Sequence, residues 1–220
     1  MRQKNKPPKS AVVGIVDSLQ ALSVARRLPA CALDILEWRA DGMPPDQPLP
    51  DLLFPWILTV RHPLEGGGGK FSLAERREIF AAGLPAAALV DIELRSLGPM
   101  AGIVESARSR NIGVIASFHD FQKTPPVKKL HELARRARDA GADVFKVAAW
   151  TASPSDVTRL LDLFQTCPLP LSVMGMGPLG PGTRVLFAQC GSVLNYGWLH
   201  RPNVPGQWSA RELKRILTDQ

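Results

Sequence analysis

Charged side chains lie inside short apolar segments of this chain, where a buried strand ordinarily carries none. Lys146 lies within residues 144–148, VFKVA, and its neighbours on both sides are apolar. Burial beside other positive charges favours the neutral, nucleophilic form of an amine, which can form an imine with a ketone. Taken alone, however, a lysine at the end of a strand is more often a surface residue or an ion-pair partner.

A histidine and a glutamate would supply the proton transfers that imine chemistry requires. His119 ends an earlier apolar segment, where a general acid or base could face Lys146. Glu93 lies one segment before it and is expected to orient His119 through a hydrogen bond, with an ion pair to an arginine as the alternative. Three other histidines have no such setting and are expected to be structural: His62, His131 and His200.

Further charged residues lie at or beyond the ends of other apolar segments and complete a candidate polar cavity. Arg39, Arg61 and Arg184 could each bind a carboxylate, Arg184 through a two-pronged guanidinium contact. Glu37 and Arg39 share one face of their strand, because side chains alternate between the faces. Charged groups at the ends of several strands must converge and pair, since an unpaired buried charge is costly.

The elements that must position these residues recur at regular intervals. Eight apolar segments, 22 to 32 residues apart, have the spacing of βα units. They lie around Val12, Ile35, Ile57, Leu89, Gly113, Val144, Leu171 and Val193. A capping box at Ser72 and Glu75, and Ser153 followed by a proline, predict helix starts between them.

This pattern predicts an α/β protein, a single-domain (β/α)8 TIM barrel over residues 11–220 in which each strand is followed by a helix. Its active site would lie at the carboxyl ends of the strands. An open doubly wound sheet is the alternative, weakened because no G-x-G-x-x-G motif follows the first segment.

Composition narrows the function classes. The net charge is +7 over 220 residues, and much of it comes from residues 1–10, which are predicted to be a basic, mobile tail. The other basic residues are spread out, so no nucleic-acid partner is expected.

Three scattered cysteines predict buried free thiols in a reducing compartment. No apolar segment reaches the ~20 residues of a membrane span, so the chain is expected to be cytoplasmic, without a membrane partner.

Eight motifs in order connect these residues to a known family. They are residues 37–41, Arg61 with residues 65–67, residues 91–93, residues 117–121 with 124–125, Lys146 with Ala148, residues 174–175 through Gly180 to Arg184, residues 191–192 and residues 205–207. In these motifs the sequence resembles the type I 3-dehydroquinate dehydratases, lyases of the shikimate pathway that form a lysine imine. The resemblance extends from residue 12 to residue 217.

The resemblance implies a (β/α)8 barrel, the small-molecule substrate 3-dehydroquinate, no metal or other cofactor, and a homodimer as the assembly. Lys146 would attack the C3 ketone of the substrate. His119 would remove the C2 proton and then protonate the departing C1 hydroxyl, while Glu93 would hold His119 in place. The implied substrate-binding residues are Glu37, Arg39, Arg61, Arg184, Asn203 and Gln207.

The lid residues depart from the family's pattern at one position, and three alternative functions remain. Asn203 stands where the family's lid pattern, Ser-x-Pro-Gly-Gln, has serine. Another lysine-imine barrel, such as an aldolase of sugar phosphates, would need a phosphate-binding loop, which the glycine-rich residues 175–182 could supply. The other two are an inactive barrel that serves as a binding protein and a basic nucleic-acid binder.

Overall fold

Eight strands occur at the eight predicted positions in the computed structural model of the chain, which describes residues 10–218. Their bounds are β1 Ala11–Val16, β2 Ile35–Arg39, β3 Trp56–Thr59, β4 Leu89–Glu93, β5 Gly113–Asp120, β6 Val144–Trp150, β7 Leu171–Met176 and β8 Leu194–Trp198. All the pairings between them are parallel, in the order β7-β6-β5-β4-β3-β2-β1-β8. The Val193 amide donates to the Leu171 carbonyl at 2.7 Å, which brings β7 and β8 together and nearly closes the barrel.

The helices of the described residues surround this sheet. They are α1 Leu19–Ala25, α2 Leu73–Gly83, α3 Ala101–Ser109, α4 Val127–Asp139, α5 Pro154–Thr166, α6 Gly180–Gln189 and α7 Ala210–Thr218. The capping box predicted at Ser72 is formed and begins α2, and the helix start predicted at Ser153 is confirmed at α5, where a capping box also forms. The predicted TIM barrel is therefore confirmed, with one exception in the connection after β2.

The expectation that every strand is followed by a helix is wrong at β2. Only a single 3-10 turn, Ala40–Gly42, follows this strand before the chain extends to β3. Prolines stand at positions 44, 45, 48 and 50 of this connection. Each proline removes a backbone donor and disfavours the helical conformation of the residue before it, so no helix can form here.

Alternate strand residues divide the core into two layers. Inside the barrel, Val13, Ile35, Ile57 and Ile115 pack together from neighbouring strands. Between the sheet and the helices, side chains of opposite parity such as Leu36 and Leu58 form the larger cluster. Because apolar side chains fill the interior, polar residues at the strand ends are left facing one mouth of the barrel.

Several predictions concern features outside the barrel core. The predicted basic tail lies outside the described residues except for Ser10, so it stays a prediction. Within residues 10–218, no helix combines the length and hydropathy that a membrane span requires. All three cysteines are free thiols, but the expectation that they are buried is wrong for Cys31 and Cys190, which are exposed, and Cys167 is only partly buried.

Candidate active site

A polar pocket of about 280 Å³ opens at the carboxyl ends of the strands. Eight of the nine predicted site residues line it: Glu37, Arg39, Arg61, His119, Lys146, Arg184, Asn203 and Gln207. They come from several strands, from α6 and from the loop between β8 and α7. The barrel thus brings together side chains that lie up to 170 positions apart in the sequence.

Lys146 lies in β6 with its amine at the base of the pocket, and the residue is only 3% exposed. Its Nζ is 2.9 Å from Asp91 Oδ2 and 3.4 Å from Glu37 Oε1. It also lies 3.8 Å from the centroid of the Tyr196 ring, where the π face attracts a cation. The nearest partners of the amine are therefore carboxylates and an aromatic face.

Asp91 joins the lysine to Arg61 at the centre of the site. The Arg61 guanidinium holds Asp91 through two bonds of 2.9 Å and shares Oδ2 with Lys146. Burial alone would raise the pKa of Asp91, but the charges of Arg61 and Lys146 outweigh it and hold that pKa well below its ordinary value. Asp91 is thus a fixed anion that holds two cations, and the predicted set of site residues did not include it.

Arg39 and Arg61, two of the arginines that line the pocket, already pair with acidic side chains. Arg61 also donates to Ser117 Oγ at 2.6 Å, and Arg39 forms two bonds, of 2.9 and 2.7 Å, with Asp41. Asp41 in turn accepts the Arg61 backbone amide. Arg39 and Arg61 thus line the pocket as cations that are already paired with acidic side chains.

The carboxylate beside His119 is that of Glu65, which lies in the 3-10 turn Pro63–Glu65 after β3. Glu65 Oε2 is 2.9 Å from His119 Nδ1 and accepts the His119 backbone amide at 3.1 Å. Its other oxygen, Oε1, accepts Arg95 Nε at 2.9 Å. Burial and the nearby charge of Glu93 raise the pKa of Glu65 to about 7.

The expectation that Glu93 orients His119 is wrong. Arg76 and Ser96 bond its Oε2 at 2.7 and 2.9 Å, and the His62 amide bonds its Oε1 at 2.8 Å. Arg61, which lines the pocket, also bonds Oε1 at 3.3 Å, so groups other than His119 occupy both carboxylate oxygens of Glu93. The ion pair with an arginine, given as the alternative, describes this residue.

The surroundings of His119 favour its neutral ring. Burial is the largest cause that lowers its pKa, and the charges of Arg61 and Lys146 lower it further, to well below the ordinary value of 6.5. When Glu65 is ionised, the proton of the neutral ring lies on Nδ1 and points at Glu65. The other nitrogen, Nε2, is then left with a lone pair that can act as a base.

Arg184 differs from the other arginines of the site because it has no carboxylate partner among residues 10–218. It lies in α6, is 4% exposed and donates from Nη1 to the Tyr196 carbonyl at 2.9 Å. Its buried Nε has no hydrogen-bond partner within those residues. Burial lowers the pKa of Arg184 to about 10, so the group is still a cation at neutral pH.

Tyr196 contributes the second buried polar atom that lacks a partner in the described part of the chain, its Oη. Burial and the charges of Glu37 and Asp91 raise the pKa of Tyr196 well above 10, so the hydroxyl stays protonated. A buried hydroxyl without a partner loses free energy, which a bound ligand with an acceptor oxygen would restore. Both such atoms belong to residues that line this pocket.

The loop after β8 contributes Asn203, Val204 and Gln207 to the lining of the pocket. Asn203 Nδ2 bonds Asp17 at the end of β1, and the Asn203 amide donates to Gln207 Oε1 at 2.8 Å. The Trp198 indole in turn donates to the Gln207 carbonyl at 3.1 Å. Asparagine at 203 thus ties the loop after β8 to the segment that follows the neighbouring strand β1.

Comparisons with known proteins identify the family of the chain. The family model for type I 3-dehydroquinase matches residues 11–219. A 3-dehydroquinate dehydratase from Methanocella arvoryzae is 31% identical over 207 residues, which cover 91% of either protein. One from Thermococcus gammatolerans is 32% identical over 213 residues, covering 94% of this chain and 97% of the relative.

Solved structures show the same fold. The crystal structure of 3-dehydroquinate dehydratase from Geobacillus kaustophilus superposes with a TM-score of 0.81 at 27% identity, over 98% of this chain and 91% of the other. The enzyme from Aquifex aeolicus gives a TM-score of 0.79 at 26% identity, over 94% and 98%. Because the family model spans nearly the whole chain and relatives above 30% identity cover most of it, the chain belongs to the type I 3-dehydroquinase family.

Proposed function

We propose that this chain converts 3-dehydroquinate to 3-dehydroshikimate and water through an imine on Lys146. The observation that carries the proposal is one pocket that holds a buried lysine amine, a neutral imidazole and an arginine without a carboxylate partner. These three groups match the ketone, the acidic C–H bond and the carboxylate of that substrate. The names of the relatives support the same substrate.

The reaction begins at Lys146. Once its amine has lost a proton, it attacks the C3 carbonyl of the substrate, and the carbinolamine loses water to give an iminium ion. The iminium has the same positive charge as the ammonium it replaces, so Asp91 and Glu37 stabilise it as they stabilise the resting lysine. This charge draws electrons from C2 and acidifies its proton.

His119 performs the proton transfers. Its Nε2 takes the C2 proton, and the electrons of the broken C–H bond form an enamine. When the C1–oxygen bond breaks, the imidazolium returns that proton to the departing oxygen, which leaves as water. Addition of one water molecule to the C3 iminium then releases 3-dehydroshikimate and the free lysine, so the net change is the loss of one water.

The backbone after β7 weighs against a sugar-phosphate aldolase. A phosphate site in residues 175–182 would need backbone amides that point into the pocket. Three of them donate within the chain: Gly177 to the Pro205 carbonyl at 3.0 Å, Leu179 to Thr151 at 3.2 Å and Gly180 to Gly177 at 2.9 Å. The arginine next to them, Arg184, suits a planar carboxylate, which it can bind through parallel hydrogen bonds.

The experiment is reduction of the protein with borohydride in the presence of 3-dehydroquinate, followed by peptide mapping. We expect an adduct on Lys146, and neither adduct nor turnover in Lys146→Ala. Lys129→Ala is the matched control, because Lys129 is half exposed in α4 and pairs only with Glu132 among the described residues. Turnover without an adduct on Lys146 would overturn the imine, and absence of turnover in the wild type would overturn the substrate.

A further inference from the structure

Arg95 lies outside the pocket lining, just after β4, with 44% of its side chain exposed. Its Nε donates to Glu65 Oε1 at 2.9 Å. Glu65 is 3% exposed, so the contact joins a surface cation to a buried anion. Such a pair is screened less by solvent than an ion pair with both partners on the surface.

The two oxygens of Glu65 have separate partners. Oε1 faces Arg95, whereas Oε2 faces the ring and the backbone amide of His119. The carboxylate therefore connects the exposed arginine to the base of the proposed reaction in two hydrogen bonds, each 2.9 Å long.

We infer that Arg95 is a positioning residue for the elimination, which favours the carboxylate form of Glu65 and thereby the form of His119 in which the lone pair of Nε2 faces the substrate. The inference rests on the proposed function, because it assigns Arg95 a part in that reaction. It adds to the site a residue that does not itself reach the substrate.

The chemistry follows from counting protons on the pair formed by Glu65 and His119. With one proton, Glu65 is a carboxylate, the ring proton lies on Nδ1, and Nε2 is a free base. A second proton leaves Nε2 protonated wherever the proton resides. Either Glu65 is neutral and donates to Nδ1, or the ring is an imidazolium. Any group that keeps the second proton away keeps the base active.

The charges around the pair show why Arg95 matters. Burial and Glu93 favour protonation of Glu65, while Arg61 and Arg95 oppose it. Of these two arginines, Arg61 is held by Asp91, Ser117 and Glu93, whereas Arg95 bonds Glu65 directly. The charged groups that act on His119 itself are Arg61, Lys146, Asp91 and Arg39, with Glu65 at Nδ1.

The test is the pH dependence of kcat/KM in Arg95→Met. Loss of the cation raises the pH at which the pair takes up its second proton, so the acidic limb should move to higher pH by about 0.5 to 1 unit. The rate should fall by roughly 2- to 5-fold near pH 7 and recover above pH 8.5. Arg95→Lys, which keeps the charge, should shift the limb less.

Arg138→Met is the matched control. Arg138 is a surface arginine that is 51% exposed, pairs with Asp139 and does not line the pocket. No displacement of the acidic limb in Arg95→Met, an equal displacement in Arg138→Met, or an equal loss of rate at every pH would each overturn the inference.

A readout without turnover separates this inference from the proposed function. In protein labelled with 15N-histidine, ring shifts distinguish protonated Nδ1 from protonated Nε2, and the spectrum of His119→Gln identifies the His119 signals. At pH 7 we expect more Nε2-protonated ring in Arg95→Met than in the wild type. Identical His119 spectra would overturn the inference even in a protein that fails to dehydrate 3-dehydroquinate.

Discussion

The buried charge of Arg184 should lower the free energy of unfolding of the chain. Burial lowers its pKa from 12.5 to about 10, and a tenfold change in a proton equilibrium corresponds to ~1.4 kcal/mol. At neutral pH the buried charge therefore opposes folding by roughly 3 kcal/mol. The hydrogen bond to the Tyr196 carbonyl returns ~1 kcal/mol of this. We expect Arg184→Met to raise the free energy of unfolding by about 2 kcal/mol.

The same substitution should abolish the response to the ligand. Loss of the cation that binds a buried carboxylate costs ~2–5 kcal/mol, so the Kd for 3-dehydroshikimate should rise by at least about 30-fold. The assay is urea unfolding at pH 7, together with thermal melting with and without the product. Without product, the Tm of Arg184→Met should lie about 4–8 °C above that of the wild type. Added product should raise the Tm of the wild type but not that of the variant.

Arg76 provides the contrasting control. It is as buried as Arg184, but it pairs with Glu93 at 2.7 Å and donates to the Val60 carbonyl. Arg76→Met leaves a buried carboxylate without this partner and should destabilise the chain by ~3–5 kcal/mol. If Arg184→Met were also less stable than the wild type, or if product raised its Tm as much, the assignment of Arg184 as an unpaired carboxylate receptor would be refuted.

Two further predictions concern the neighbours of the reacting groups. Glu65→Gln offers His119 an amide donor in place of a carboxylate, so kcat should fall by about 10²-fold with little change in KM. Glu93→Gln should mainly lower the Tm. A larger loss of kcat in Glu93→Gln than in Glu65→Gln would reverse the two assignments. Tyr196→Phe removes only the hydroxyl and should raise KM by roughly 2- to 10-fold at constant kcat. Since Tyr196 is the only tyrosine of the chain, incorporation of 3-fluorotyrosine gives a single 19F resonance; if product did not shift it, the ring would not contact the ligand.

The fold could be predicted from the sequence because its signals are local and repeated. Eight apolar segments at nearly regular spacing leave few topologies besides a barrel. The missing helix after β2 was also readable, since four prolines in residues 44–50 exclude it. In this segment the local residues, and not the spacing of the repeat, determine the structure.

The partner of His119 could not be predicted in the same way. The alternation of side chains along a strand places Glu93 next to residues of β5. It does not show which carboxylates will pair with other cations. Arg76 reaches Glu93 from α2, and the 3-10 turn after β3 brings Glu65 to His119 in its place. Both contacts depend on the paths of segments outside the strands. The signals for Glu65 in the sequence are its position past a strand end and its place in the motif of residues 65–67.

The charge balance of the pocket favours an anionic substrate that reacts through a cationic intermediate. Asp91 and Glu37 hold Lys146 and Arg61, and Asp41 holds Arg39, so each of these cations already has an anion. Arg184 is the pocket cation that has none among the described residues, and one carboxylate would complete the set. Because conversion of the ammonium to an iminium preserves its charge, the carboxylates around Lys146 need not rearrange during the reaction. Electrostatic stabilisation that is in place before the charge develops requires no reorganisation, and this is the form in which it accelerates a reaction most.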